Sequence, residues 1–174
     1  MFPLPFLYRF FPVSFDLDDV LFVSPDKYET EPALRFPYNL LFKDRLRKGT
    51  VKLIHELQKR GFEVWVYTSS FRQERYIRSL FQRYGVHIDQ VVNGQRHEEE
   101  VQRGRKTRLP QKMPNFYHIS LHVDDEKSIE KSGRMYGFRT FRVFEPDSGW
   151  AKKVLDEALR VRRLEEKNDE HRDQ

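Results

Sequence analysis

The stretch Val13-Ser14-Phe15-Asp16-Leu17-Asp18-Asp19-Val20-Leu21-Phe22 decides how this chain is read. The apolar run from Phe10 to Phe15 reads as a buried strand that ends in three acids. Asp16 and Asp18 alternate around Leu17, and strand geometry puts side chains i and i+2 on the same side. Paired carboxylates at a strand end are costly unless they meet a cation or share a proton. A divalent metal and covalent phosphate chemistry at the C-terminal edge of the strand would satisfy them. A strand followed by an acidic turn is the other reading, since Asp is a common turn residue.

Working outward, 174 residues suggest one domain, 1–166, with a polar tail at 167–174 expected to be disordered. A chain of that length buries about two thirds of its unfolded surface and holds a core without staples. It has no cysteine, which excludes disulfides and thiolate metal sites and leaves the cytoplasm as the default compartment. Met1 to Val13 is apolar and aromatic, with Pro3, Pro5, Pro12 and the single charge Arg9. It is too short for a membrane span and lacks a signal-peptide pattern, so it reads as a lead into a core strand. A net charge of +5 favours anionic ligands without implying nucleic acid.

Val23 to Lys48, with prolines at 25, 32 and 37, reads as a flap-like loop holding a short helix or hairpin. Thr50 is the expected N-cap of a helix whose stripe is Leu53, Ile54 and Leu57 and whose end is Gly61. Glu63 to Tyr67 reads as a strand stopping at Thr68-Ser69-Ser70. A second helix carries Ile77, Leu80, Phe81 and Tyr84, and Gly85 ends it. Val86 to Val92 reads as a strand, Asn93-Gly94 as a turn, and 95–114 as a charged loop or hairpin. Ile119 to Val123 reads as a strand ending in Asp124-Asp125. A helix over Lys127–Tyr136, a strand over Phe138–Phe144 and a helix from Trp150 to about Glu166 complete the chain.

Alternating strands and helices predict a three-layer α/β/α, Rossmann-like domain with a mainly parallel central sheet. Ligands bind such sheets outside the carboxyl ends of the strands. Three expected strands end there in polar groups: Asp16/Asp18, Thr68/Ser69 and Asp124/Asp125.

With those ends in hand, the chain resembles the haloacid dehalogenase (HAD) superfamily from Val13 to about Leu155. Phe15 to Leu21 is similar to the family's first motif, Val64 to Ser69 to its second, and Leu121 to Asp125 to its fourth. The third motif is a lysine, for which Lys112, followed by Met113-Pro114, is preferred to Lys106. The resemblance implies Asp16 as nucleophile, forming an aspartyl-phosphate, and Asp18 as general acid and then base. It implies Thr68 and the Ser69 amide as phosphate ligands, with Lys112 balancing charge. It implies Mg²⁺ held by Asp16, the carbonyl of Asp18, Asp124 and Asp125. Members that cleave carbon–halogen bonds generally lack the second acid, so Asp18 argues for phosphoryl transfer. Read without the family, Thr68-Ser69 and Asp124-Asp125 are also candidate helix caps. His122 alternates with Val123 and reads as a satisfied interior residue rather than a ligand.

Neither 23–48 nor the interval between Ser70 and Lys112, read as a helix, a strand and one loop, can form a full cap domain, so the site is expected to be open. Arg72, Arg75, Arg103, Arg105, Lys106 and Arg108 cluster near the expected mouth. They read either as a solvated face or as a platform for a macromolecular, polyanionic phosphorylated partner. Nucleic acid is the weaker partner, because the aromatic interleaving of a single-strand groove is missing. No membrane partner is expected, and the oligomeric state is open. The leading function is a Mg²⁺-dependent phosphatase acting on a phosphate monoester. The alternatives are a phosphotransferase of the same family and a non-catalytic phosphate- or nucleic-acid-binding module on the same fold.

Overall fold

Every residue of β1 (Phe11–Phe15) is buried, and that strand stands in the middle of the sheet. A computed structural model describes residues 10–145 and 147–171. Most of the N-terminal run, 1–9, lies outside the described residues, as do 172–174. After β1 come β2 (Phe22–Val23), α1 (Tyr38–Leu41), β3 (Arg45–Leu46), α2 (Thr50–Lys59) and β4 (Phe62–Tyr67). Next are α3 (Glu74–Arg83), β5 (Gln90–Val92), α4 (Gly94–His97) and β6 (Leu121–Asp124). The chain closes with α5 (Lys127–Tyr136), β7 (Thr140–Arg142) and α6 (Trp150–Glu170).

The sheet order is β5-β4-β1-β6-β7, and every pair is parallel. A parallel sheet needs helices on its faces, and strands so covered read as continuous apolar runs. The larger core joins β1, β4 and β6 to α2, α3 and α6 through Val13, Phe15, Leu57, Val64, Phe81 and Val154. A smaller cluster of Val101, Met113, Ile129 and Phe138 involves α5 and the segment before β6. These are the three layers expected from the sequence.

The structure differs from the sequence reading at several ends. The cap of α2 is not Thr50 but Gly49, at φ +91°, and the carboxylate that receives the Gly49 and Val51 amides belongs to Glu31. Thr50 is instead the first helical residue, and its Oγ1 is buried with no partner among the described residues. Asn93-Gly94 is not a free turn: Asn93 Oδ1 accepts from Arg96 N and opens α4. That helix continues as a π-helical turn over Glu98–Gln102, so 95–114 starts helically and contains no hairpin. The last helix runs to Glu170, four residues beyond the expected end, so only 172–174 of the supposed tail go undescribed.

Within the 23–48 segment, residues 24–44 form a loop between β2 and β3, the flap of this description, with one helical turn and no buried residue in that turn. It stands on an antiparallel pair of rungs, Phe22↔Leu46 and Val23↔Arg45. No large cap covers the sheet edge among the described residues. Nor is any helix among them long and apolar enough to cross a membrane.

Candidate active site

The parallel registers bring the acids together. Phe15 pairs with Val66 on one side and Val123 on the other, and the Asp16 amide donates to Val123 O at 2.9 Å. One residue further, Asp16 therefore lies beside Asp124 at the C-terminal edge. Carboxylate oxygens of Asp16, Asp124 and Asp125 all fall within 4.8 Å of one another. Asp16 and Asp124 are buried, and Asp125 is partly so.

Lys112 reaches this cluster and Lys106 does not. The Lys112 side chain is 2% exposed, with Nζ 3.0 Å from Asp16 Oδ2 and 2.6 Å from Asp124 Oδ2. Lys106 is exposed on the loop after the π-helical turn. A buried ammonium is costly by itself, so its position between two carboxylates is the physical reason it can be there.

Two further buried side chains, one bonded to the next, back Asp124. His122 Nε2 lies 3.0 Å from Asp124 Oδ2, and His122 Nδ1 lies 2.8 Å from Ser14 Oγ. Ser14 and His122 are register partners on β1 and β6. The i, i+2 parity that singles out Asp16 and Asp18 also aligns Ser14 with Asp16 and His122 with Asp124. His122 is thus the satisfied interior residue expected from the sequence, and it also contacts an acid of the cluster.

A second clasp holds the segment carrying Lys112. Tyr67 Oη accepts from Met113 N at 2.9 Å and meets His97 Nδ1 at 2.6 Å. His97 also bonds to the backbone of Pro110. The contacts fall on both sides of Lys112, from Tyr67 at the end of β4 and His97 at the end of α4.

Electrostatics follow burial. Desolvation pushes the Asp16 carboxyl above its ordinary range, against the pull of Lys112, and Asp124 adds to the rise. Burial alone would raise Asp124 too, but the His122 hydrogen bond and the Lys112 charge hold it well below the usual carboxylate range. Burial works to lower Lys112, yet Asp16 and Asp124 keep it high and charged. Desolvation lowers His122, so its ring is held neutral. Three carboxylates facing one ammonium leave an excess of two negative charges when all are ionised. Asp16 Oδ1 is buried with no hydrogen-bond partner among the described residues. An all-oxygen donor set with an orphaned carboxylate oxygen and that excess fits a hard divalent cation such as Mg²⁺.

The remaining sequence candidates lie around this centre. Asp18 lies three residues beyond Phe15, where β1 ends, so strand alternation does not fix its side. The chain then turns on Leu17 O, which accepts from the amides of Val20, Leu21 and Phe22, and Asp19 sits at φ +58°. The Asp18 side chain is half exposed and pairs with Arg72 at 2.9 Å. Thr68 is buried, and its Oγ1 accepts from Ser70 N at 3.1 Å, while Ser69 is exposed. Neither caps α3, whose cap is Gln73. Asp124 Oδ1 does receive the Glu126 amide at the start of α5, although the N-cap is Glu126 itself. Gly94 packs under this loop, and a Cβ there would lie 2.6 Å from Ser69 O.

Of the basic residues expected at the mouth, Arg72 alone touches a candidate acid. Arg75, Arg103, Arg105 and Arg108 are exposed, with Arg105 donating to Val101 O and Arg108 3.5 Å from Glu98.

No protein-family model matches the chain, and no curated protein matches it by sequence. Among solved structures it is similar to a HAD-superfamily hydrolase, subfamily IA, variant 1, from Geobacter sulfurreducens. That match has 14% identity and a TM-score of 0.49, over 77% of this chain and 89% of that one. It is also similar to an uncharacterized protein from Listeria monocytogenes serotype 4b, with 17% identity and a TM-score of 0.47, over 78% and 79%. A predicted HAD-like family hydrolase from Porphyromonas gingivalis matches with 12% identity and a TM-score of 0.44, over 80% and 94%. The strand order, the parallel registers and the meeting of Asp16, Lys112, Asp124 and Asp125 at one sheet edge are this chain's own, and they give it an α/β fold with a parallel five-stranded sheet and an acidic cluster at its carboxyl edge.

Proposed function

We propose that the protein is a Mg²⁺-dependent phosphatase that hydrolyses a phosphate monoester through an aspartyl-phosphate on Asp16. The observation carrying this reading is the buried Asp16 carboxylate, with Oδ2 on Lys112 and Oδ1 without a partner, beside Asp124 and Asp125. A merely structural ion pair would not need the third acid or leave one oxygen unsatisfied.

Asp16, Asp124 and Asp125 would hold the cation, which when bound neutralises phosphoryl charge and keeps the carboxylates ionised. An Asp16 oxygen attacks phosphorus, the bond to the ester oxygen breaks, and that oxygen takes a proton from Asp18. Water then attacks the phosphorus of the aspartyl-phosphate and gives its proton to Asp18, which releases inorganic phosphate and restores Asp16. To serve both steps Asp18 must part from Arg72, which holds it in the resting protein. Lys112 stays fixed beside the nucleophile and offsets the charge that develops on the transferring group. The Thr68 hydroxyl and the Ser69 amide, at the end of β4, are assigned to a phosphate oxygen. The partner is a phosphorylated substrate admitted at an open edge.

Hydrolysis of an aryl phosphate, with and without Mg²⁺, tests this in wild type beside Asp16→Asn. The expected result is metal-dependent turnover that the substitution abolishes while the far-ultraviolet dichroism is unchanged. Turnover that survives Asp16→Asn would overturn the assignment of the nucleophile.

A further inference from the structure

A cleft of about 450 Å³ lies between the flap, the start of α2 and the first turn of α6. That is within the range of small-ligand sites, about 300–1,000 Å³. Lys27, Tyr28, Lys48, Ser148 and Trp150 line it around Arg47. Arg47 is 3% exposed. Its guanidinium carbon lies over two rings, 5.0 Å from the Tyr28 centroid and 4.8 Å from that of Trp150. Nη2 donates to the carbonyls of Phe144, Glu145 and Asp147 at 2.8, 3.3 and 3.2 Å. Nη1 is buried and has no partner among the described residues.

A strut that only tied the β7–α6 loop to β3 would be complete with Nη2. Leaving a charged donor buried and unpaired is expensive, and native structures rarely do so without a reason. A buried arginine packed against two rings and tied through Nη2 to three carbonyls also has little rotamer freedom left to lose on taking a ligand. The surrounding charges permit an anion. Glu29 pairs with Lys48, and Asp147, whose charge also acts on Arg47, pairs with Lys153, so each of these two lining acids has a lysine partner, with Glu145 the third acid beside Lys27 and Arg47.

A chain of contacts links the cleft to the carboxylate cluster. Arg142 Nε donates to Asp125 O, and the Arg142 guanidinium lies over the Phe144 ring, while Phe144 O accepts from Arg47. The Arg47 amide donates to Leu21 O, three residues after Asp18. Burial raises the Tyr28 hydroxyl first, and the charges of Asp19 and Asp125 also reach it.

We propose that this cleft is an oxyanion-binding subsite, in which Arg47 receives the phosphate or carboxylate group of a small-molecule ligand. On the phosphatase reading, that group is the part of the substrate remote from the scissile phosphate, so the substrate carries two anionic groups. The subsite itself does not rest on that reading, and its test uses neither metal nor turnover.

Trp65 and Trp150 are the only tryptophans, so Trp65→Phe leaves Trp150 as the sole indole, against the Arg47 guanidinium. Orthophosphate and acetate are titrated separately in the presence of EDTA, and Trp150 emission is followed. The expected result is a saturable change with at least one anion, retained in Asp124→Ala and weakened at least tenfold in Arg47→Met. Arg47→Lys keeps the charge without the flat fork and gives the same reading should Arg47→Met fail to fold. The ion that saturates at the lower concentration names the group. No saturable change up to 50-fold above millimolar levels would overturn the proposal, as would a change that Arg47→Lys leaves intact. A change lost in Asp124→Ala would put the ion at the carboxylate cluster and overturn it equally.

Discussion

Arg72 Nη1 lies 2.9 Å from Asp18 Oδ2, while the same guanidinium reaches Asp44 at 3.5 Å. One side chain after β4 thus joins the acid that follows β1 to the returning side of the flap. Asp18→Asn should lower turnover by about 10²–10⁴, the usual contribution of a general acid–base group. Arg72→Ala should cost less than tenfold and shift stability by no more than about 1 kcal/mol, since the pair is part-exposed. Steady-state rates of both variants check this. Equal losses would make Arg72 a substrate ligand in its own right.

Lys112 is buried between two carboxylates, and Lys106 is exposed. Removing one member of a buried ionic group leaves the others uncompensated, at about 3–5 kcal/mol. Lys112→Met should therefore lower the urea-unfolding free energy in EDTA by that order. Lys106→Met should stay within about 0.5 kcal/mol of wild type. Comparable midpoints for the two variants would remove Lys112 from the centre of the cluster.

Mg²⁺ should stabilise the protein through Asp16, Asp124 and Asp125. A ligand present at one hundred times its Kd adds about 2.7 kcal/mol to the folded state. Calorimetric Tm should rise with Mg²⁺ in wild type and hardly at all in Asp124→Asn or Asp125→Asn. An undiminished rise in either variant would place the cation elsewhere.

Burial holds the His97 imidazole below its ordinary value. On acidification the unfolded chain takes up this proton before the folded one does. Stability therefore rises with pH through the window below about 6.5, by at most about 1.4 kcal/mol per unit for one such group. His122, lowered by the same cause, adds in the same direction. In His97→Gln the slope between pH 5 and about 6.5 should become shallower without reversing. Denaturant midpoints across that range measure it, and an unchanged slope would show that His97 does not titrate as a buried group.

An alanine at position 94 would bring its Cβ within 2.6 Å of Ser69 O and 2.9 Å of the Phe71 ring. Overpacking of this kind costs about 1–3 kcal/mol when neighbours must shift. Gly94→Ala should displace the loop after β4, reducing turnover together with stability. Full activity in a destabilised variant would separate that loop from the reaction.

The sheet was legible because its strands pair short β-prone apolar residues with polar ends, as in Phe11–Phe15 and Leu121–Asp124, both buried throughout. The gathering of Asp16, Lys112 and Asp124 was legible because each residue closes or precedes a strand whose place the family resemblance supplied. What misled was local chemistry resolved by distant partners. Thr50 has the side chain of a cap, but Glu31 supplies the carboxylate. Asn93-Gly94 looks like a hairpin turn, but the Asn side chain opens a helix. Asp18 follows a strand period that stops three residues before it. Arg47 carried no signal in the sequence, because the rings that hold it come from positions 28 and 150.

The flap rests on two rungs and on the amides that tie Leu46 and Arg47 to Glu31 and Leu21, while its helical turn buries nothing. Its outer part, between about residues 34 and 37, is therefore a module that can be lengthened or exchanged without repacking the sheet, whereas Phe42 packs against the core and Tyr76. Grafting there would alter what lies above the sheet edge, with the carboxylate cluster left as it stands.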